Sequence, residues 1–110
     1  MKDKNSALVY RPPFTLVDQA VLLSENLDSY DKAVYAILCS YANNEDGSCF
    51  PAYNLLARKA GCSRSKVIRV IANLESKGLI QKRTRYNSNG DNTSNLYVIM
   101  PMSSPKKPVS

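Results

Sequence analysis

Histidine is absent from this 110-residue chain, which removes the commonest general base of enzyme active sites. Cysteine is scarce: Cys39, Cys49 and Cys62 lie ten and thirteen residues apart. A zinc site normally draws four Cys or His ligands, often in close pairs, and three thiols cannot all pair with one another. The cysteines are therefore read as small apolar side chains kept reduced. The acids are scattered, no Gly-rich phosphate loop occurs, and no nucleophile stands in a recognisable setting. These gaps argue against an enzyme and call for no cofactor or metal. No apolar run approaches the roughly 20 residues that cross a bilayer. The opening "MKDKNSALVYRPPF" has neither the apolar core nor the cleavage site of a signal peptide, so a cytoplasmic location away from membranes is expected.

What is present points to one domain. An apolar fraction of 44% suits a packed core rather than disorder, and the length suffices without disulfide staples. Charge is the more informative property. Residues 1–56 hold four Lys/Arg against seven Asp/Glu, residues 57–85 hold nine against one, and residues 86–110 hold two against one. The net +6 is thus concentrated in one stretch, which suggests a polyanionic partner.

Residues 1–13 read as a flexible arm, and residues 101–110, "PMSSPKKPVS", as a disordered tail or linker stump. Between them, residues 14–100 form the expected domain. "FTLVDQAVLLSENL" (14–27) suits a short helix or an extended packing segment. "DSYDKAVYAILCSYAN" predicts a helix capped by Asp28, with Asp31 near the positive end of its dipole. Tyr30, Val34, Ile37, Leu38 and Tyr41 would make its apolar face. "NNEDGS" is turn chemistry, and "CFP" a short extended piece. A second helix should start just after Pro51, bury Leu55, Leu56 and Ala60, and stop at Gly61. Ser63 is a good cap for a third helix, with Val67, Ile71, Leu74 and Gly78 on its inner stripe. Ser65, Lys66, Arg69, Ala72, Asn73, Ser76 and Lys77 fall opposite. "LIQKRTRY" and "NLYVIM" then alternate as two strands, joined by the loop "NSNGDNTS".

A tight Gly-containing turn between two helices, followed by a β-hairpin, is the plan of a winged helix-turn-helix. The class is α+β and mainly α, a three-helix core plus a β-hairpin wing. The third helix, 63–77, is the expected recognition helix, and the hairpin, 79–100, the basic wing. In a major groove, Arg69, Arg64 and Lys66 can donate to guanine, and Asn73 can pair with adenine. Ser63, Ser65 and the free N–H groups at this helix start suit a phosphate. On the wing, Lys82, Arg83 and Arg85 suit phosphates, with Tyr86 and Asn87 as polar contacts. A merely solvated face usually mixes charge signs, and this one does not. Tyr35, Tyr41, Tyr53 and Tyr97 read as core or crossing-point aromatics.

The segments "FP" (50–51), "LARKAGCSRSKVIRVIANLESKGLI" and "SNLYVI" resemble the helix-turn-helix domains of phage, plasmid and Gram-positive bacterial DNA-binding proteins, including replication initiators and DnaD-like primosome components. The resemblance runs from about Phe14 to Met100 and implies a winged helix whose recognition helix starts at Ser63. It supports the roles given to Arg64, Ser65, Lys66 and Arg69. One departure stands out: the family usually caps the second helix with Ser or Thr, where this chain has Ala52. The expected function is sequence-specific binding of double-stranded DNA in replication initiation or transcriptional regulation. The rival is a protein-interaction winged helix, in which residues 8–27 pair two subunits as a homodimer or meet a replisome or transcription partner.

Overall fold

The computed structural model describes residues 13–43, 45–86 and 92–100. The arm to residue 12, the loop tip with Asn87, and the tail 101–110 lie outside the described residues. Within them run α1 (Gln19–Leu22), α2 (Ser29–Tyr41), β1 (Ser48–Cys49), α3 (Tyr53–Ala60), α4 (Arg64–Ser76), β2 (Ile80–Tyr86) and β3 (Asn92–Ile99). The three longer helices pack on one another, and the strands form an antiparallel sheet in the order β1-β3-β2. This is a three-helix core with a β-hairpin wing.

Helix α2 starts as its sequence requires. Asp28 Oδ1 accepts the Asp31 N–H at 2.8 Å and Asp31 Oδ2 accepts the Asp28 N–H at 3.0 Å, a reciprocal capping box. Its inward residues are Asp31, Val34, Tyr35 and Leu38. This corrects the expected stripe by about one position: Tyr30 and Tyr41 are 38% and 42% exposed, whereas Tyr35 is fully buried. The polar Asp31 on the inner face disguised where that face lies.

Helix α3 has no side-chain cap at Ala52, as Ala52 leads one to expect. It buries Leu56 and Ala57, while Leu55 and Ala60 are half-buried. Gly61 ends it at φ +75°, a left-handed conformation that costs glycine little and other residues more. There the N–H groups of Gly61 and Cys62 both reach the Ala57 carbonyl, at 2.9 and 3.1 Å. The two-residue turn to Ser63 follows.

On α4 the buried set is Val67, Val70, Ile71 and Leu74. Gly78 is exposed, at φ +77° just past the end of α4, so it stops the helix rather than extending the stripe. Leu79 and Ile80 then enter the core, joined by Val21, Leu27, Cys49 and Tyr97. Strand β3 begins at Asn92, earlier than expected, because Asn92–Ser94 continue the pairing instead of the loop. Cys39, Cys49 and Cys62 are free thiols.

The register divides the wing. Lys82 stands opposite Tyr97 and Arg83 opposite Leu96. Side chains alternate along a strand, so Lys82 shares the core-side face with Asn95 and Tyr97, and Arg83 lies on the outer face with Gln81. A register shift between Thr84 and Tyr86 bends the pairing beyond that point.

Candidate nucleic-acid interface

The start of α4 is built to leave donors outside. Ser63 Oγ accepts the Lys66 N–H at 3.0 Å, and the Ser63 carbonyl takes the Val67 N–H at 3.1 Å. The N–H groups of Arg64 and Ser65 have no partner within the helix, since the first turn has no carbonyl to offer them. They sit at the positive end of the helix dipole, beside exposed Ser63, Arg64 and Ser65.

Each residue of a helix advances about 100°, which resolves the polar side of α4 into a centre and two flanks. Opposite the buried stripe lie Ser65, Ile68, Arg69, Ala72 and Ser76, all exposed. Lys66 and Asn73 stand on the flank toward α2 and are half-buried. Arg64 occupies the other flank, toward α3.

Both flanks are held by side chains from other helices. The Lys66 ammonium lies 5.2 Å from the centre of the Tyr30 ring, and the Arg64 guanidinium 5.3 Å from that of Tyr53, both within cation–π range. The Asn73 amide donates to Asp31 Oδ2 at 3.2 Å. This limits the expected role of Asn73: one of its two amide hydrogens is engaged in the free protein, which leaves the other hydrogen and the carbonyl, in an orientation set by Asp31. Lys66, Arg69, Val70 and Asn73 line one depression with Asp28 and Asp31. Among the described residues, Arg64, Lys66, Arg69, Lys82 and Arg83 have no carboxylate partner; Arg83 instead donates to Gln81 at 3.0 Å.

The structure thus brings Ser63, Arg64, Ser65, Lys66, Arg69 and Asn73 together on α4. It separates Lys82 from Arg83 across the hairpin. Arg85 is described in its backbone only, and Asn87 lies outside the described residues. Sequence reasoning passed over three contributors. Tyr30 was assigned to the core; Tyr53 was given no partner; and Asn95, whose amide donates to the hydroxyls of Tyr53 at 3.0 Å and Tyr97 at 3.4 Å, was read only as a strand residue. An aromatic at the first turn of each preceding helix was the signal available for the first two.

Burial pushes the Cys39 and Cys49 thiols up to about 11, with Asp18 adding to the shift at Cys39 and Cys39 adding to it at Cys49. Burial likewise raises the Tyr35 and Tyr97 hydroxyls well above their ordinary range. Among the described residues no three His, Cys, Asp or Glu side chains gather into a group able to hold a metal, and no helix is long and apolar enough to cross a membrane.

Residues 25–80 match the model of a family described as a helix-turn-helix domain. Among curated proteins, none matches the chain. Solved structures do. One titled "N-Terminal domain of DNA binding protein" aligns with a TM-score of 0.58 at 22% identity, over 91% of this chain and 82% of its own. A second, "Structure of Rep-DNA complex", gives 0.57 at 22% identity over 92% and 84%. A third, a "Possible transcriptional regulator" from Methanosarcina mazei Go1, gives 0.54 at 20% identity over 76% and 66%. At these identities the likeness is one of fold.

Proposed function

The chain belongs to the helix-turn-helix domain family, and from that premise we propose that it binds double-stranded DNA with α4 in the major groove and the hairpin on the adjoining backbone. The observation that carries this reading is the asymmetry of α4. Val67, Val70, Ile71 and Leu74 are buried, while Arg64, Lys66 and Arg69 lie on the polar side of the helix with no salt bridge to a carboxylate among the described residues.

Ser63, Ser65 and the free N–H groups of the first turn take a phosphate, and Arg64 a phosphate or a guanine. Asp28 and Asp31 border the depression that holds Lys66 and Arg69, so a phosphate is opposed there. Base acceptors suit those two cations better, guanine above all. Exposed Ile68 and Ala72 beside Arg69 fit thymine methyl groups. Asn73 offers its carbonyl to a base amino group. Lys82, Arg83 and Arg85 neutralise backbone, with Asn87, outside the described residues, as a polar contact. The process served is replication initiation or transcriptional regulation, in keeping with neighbours described as a Rep–DNA complex and a possible transcriptional regulator.

Fluorescence anisotropy against mixed duplex DNA at two salt concentrations tests the proposal. Binding should weaken steeply with salt, because affinity comes largely from counterion release. Reversing Lys66 and Arg69 together to Glu should abolish binding and leave the circular-dichroism spectrum unchanged. Retention of duplex binding by that variant at moderate salt removes α4 as the reading helix.

A second reading has its own observation. Leu16 is 81% and Leu23 65% exposed around α1, an apolar display that suits a homodimer contact or a protein partner. Sedimentation equilibrium decides it: a monomer across the micromolar range for the wild-type chain, indistinguishable from a Leu16→Lys/Leu23→Lys variant, removes the homodimer.

A further inference from the structure

We propose that Tyr53 is a positioning residue that couples the wing to the recognition helix, using the two ends of one side chain. The proposal rests on the DNA-binding reading of α4 and the hairpin. Tyr53 is the first residue of α3, a helix with no side-chain cap, so its own side chain anchors that corner. The face of its ring carries the Arg64 guanidinium, 5.3 Å from the centroid. Its hydroxyl accepts from Asn95 Nδ2 at 3.0 Å, across 42 residues of sequence. The same amide reaches the Tyr97 hydroxyl at 3.4 Å.

These contacts form a continuous line. Tyr97 is 1% exposed and fixes the base of β3 in the core. Asn95 stands two residues nearer the hairpin tip on the same face, and Lys82 is the Cα partner of Tyr97. A backbone load on Lys82 therefore acts on the strand pair that holds Asn95. Asn95 in turn orients the Tyr53 ring, and the ring sets where Arg64 lies. Arginine free in solvent samples many rotamers, whereas Arg64 on a fixed ring is restricted before any ligand arrives. The wing and the start of α4 then respond as one unit, and a misplaced hairpin misaligns Arg64.

The packing role of the ring is separable from this. Tyr53→Phe keeps the ring and the cation–π contact and removes only the hydroxyl. The experiment uses the full chain in two arms. Without DNA, the Arg64 Nε–Hε resonance is followed by NMR in Asn95→Ala and Tyr53→Phe. Each change should move it, and the double variant should move it no further. With DNA, Lys82→Ala should weaken binding by about fivefold at 0.15 M salt, the value of one phosphate contact, but by less than about twofold in the Tyr53→Phe background.

An Arg64 resonance unmoved by Asn95→Ala, or an equal Lys82→Ala effect in both backgrounds, overturns the coupling. A hydroxyl that served packing alone would lower the melting temperature and leave both readouts as in the wild type. Should the wild-type chain show no salt-sensitive DNA binding, the interface reading falls instead, and the resonance arm by itself decides the coupling.

Discussion

Asp31→Ala is expected to be the most damaging polar substitution in the helical core. Asp31 is 5% exposed. Its carboxylate accepts the Asp28 N–H at 3.0 Å and the Asn73 amide at 3.2 Å. Truncation strands both donors. A stranded donor costs about 1–3 kcal/mol when fully buried, and both bonds here are part-buried, so about 1 kcal/mol each is the fitting figure. Loss of a negative charge beside the positive end of α2 adds about 0.3–1 kcal/mol. Two effects run the other way. Alanine is the better helix former by a few tenths of a kcal/mol, and a buried carboxylate no longer has to be kept from water. The net is a loss of about 2 kcal/mol, which for a domain of this size lowers Tm by about 8–16 °C.

Thermal and urea unfolding followed by far-UV circular dichroism measure it. The companion variant Asn73→Ala completes a double-mutant cycle, in which the pair should show about 1 kcal/mol of coupling. A loss below about 0.5 kcal/mol for Asp31→Ala, or strict additivity in the cycle, refutes the claim that this bond ties the start of α2 to α4.

Two further substitutions and a pH series probe other parts of the fold. The Tyr35 hydroxyl is buried with no hydrogen-bond partner, so Tyr35→Phe should leave stability unchanged or raise it by about 1 kcal/mol; a loss above that in urea titrations shows a hidden partner. Leu74→Ala opens a cavity at the C-terminal end of α4's buried stripe, where Leu74 is fully enclosed, and should cost about 3 kcal/mol, read from the shift in urea midpoint at constant slope. The Cys39 and Cys49 thiols, raised from 9.0 to about 11 in the folded chain, hold protons that the unfolded chain releases earlier. Their contribution to stability is therefore complete below pH 9 and should decline as pH rises from about 9 to 11. A urea-midpoint series over that range checks it, and a Cys39→Ser/Cys49→Ser variant should show a shallower decline.

Most of the fold was legible in the chain because its signals are local. Asp28 and Ser63 announce helix starts through the hydrogen bonds they make to the next turn, and Gly61 marks an end by its tolerance of positive φ, whereas Gly78 falls on the stripe by spacing and shows its role as a stop only in the structure. What failed needed partners from elsewhere. The α2 stripe was misjudged because Asp31 is polar yet inward, an arrangement that makes sense only once Asn73 is seen across the helix pair. Spacing alone places Tyr30 on the core face, but its ring lies beneath Lys66, a contact that no periodicity in its own helix announces. The division of Lys82 from Arg83 is implicit in strand alternation, but charge alone groups the wing cations without regard to face, and the register is what separates them.

The magnitudes of the contacts on α4 also rank how its side chains can behave on a ligand. A cation over an exposed ring is worth about 0.5–1 kcal/mol, comparable with the thermal energy, so Arg64 over Tyr53 and Lys66 over Tyr30 are held in place without being locked. Either cation can trade its ring for an anionic oxygen at small expense. Asn73 differs. Its donor goes to a carboxylate in a part-buried bond of about 1 kcal/mol; moreover, withdrawing it would leave the buried Asp31 with one partner fewer. Asn73 is therefore expected to keep its place when a ligand binds, presenting its carbonyl and second amide hydrogen in a fixed orientation, while the two cations adjust. On the DNA-binding reading proposed above, this sets one fixed amide between two adaptable cations.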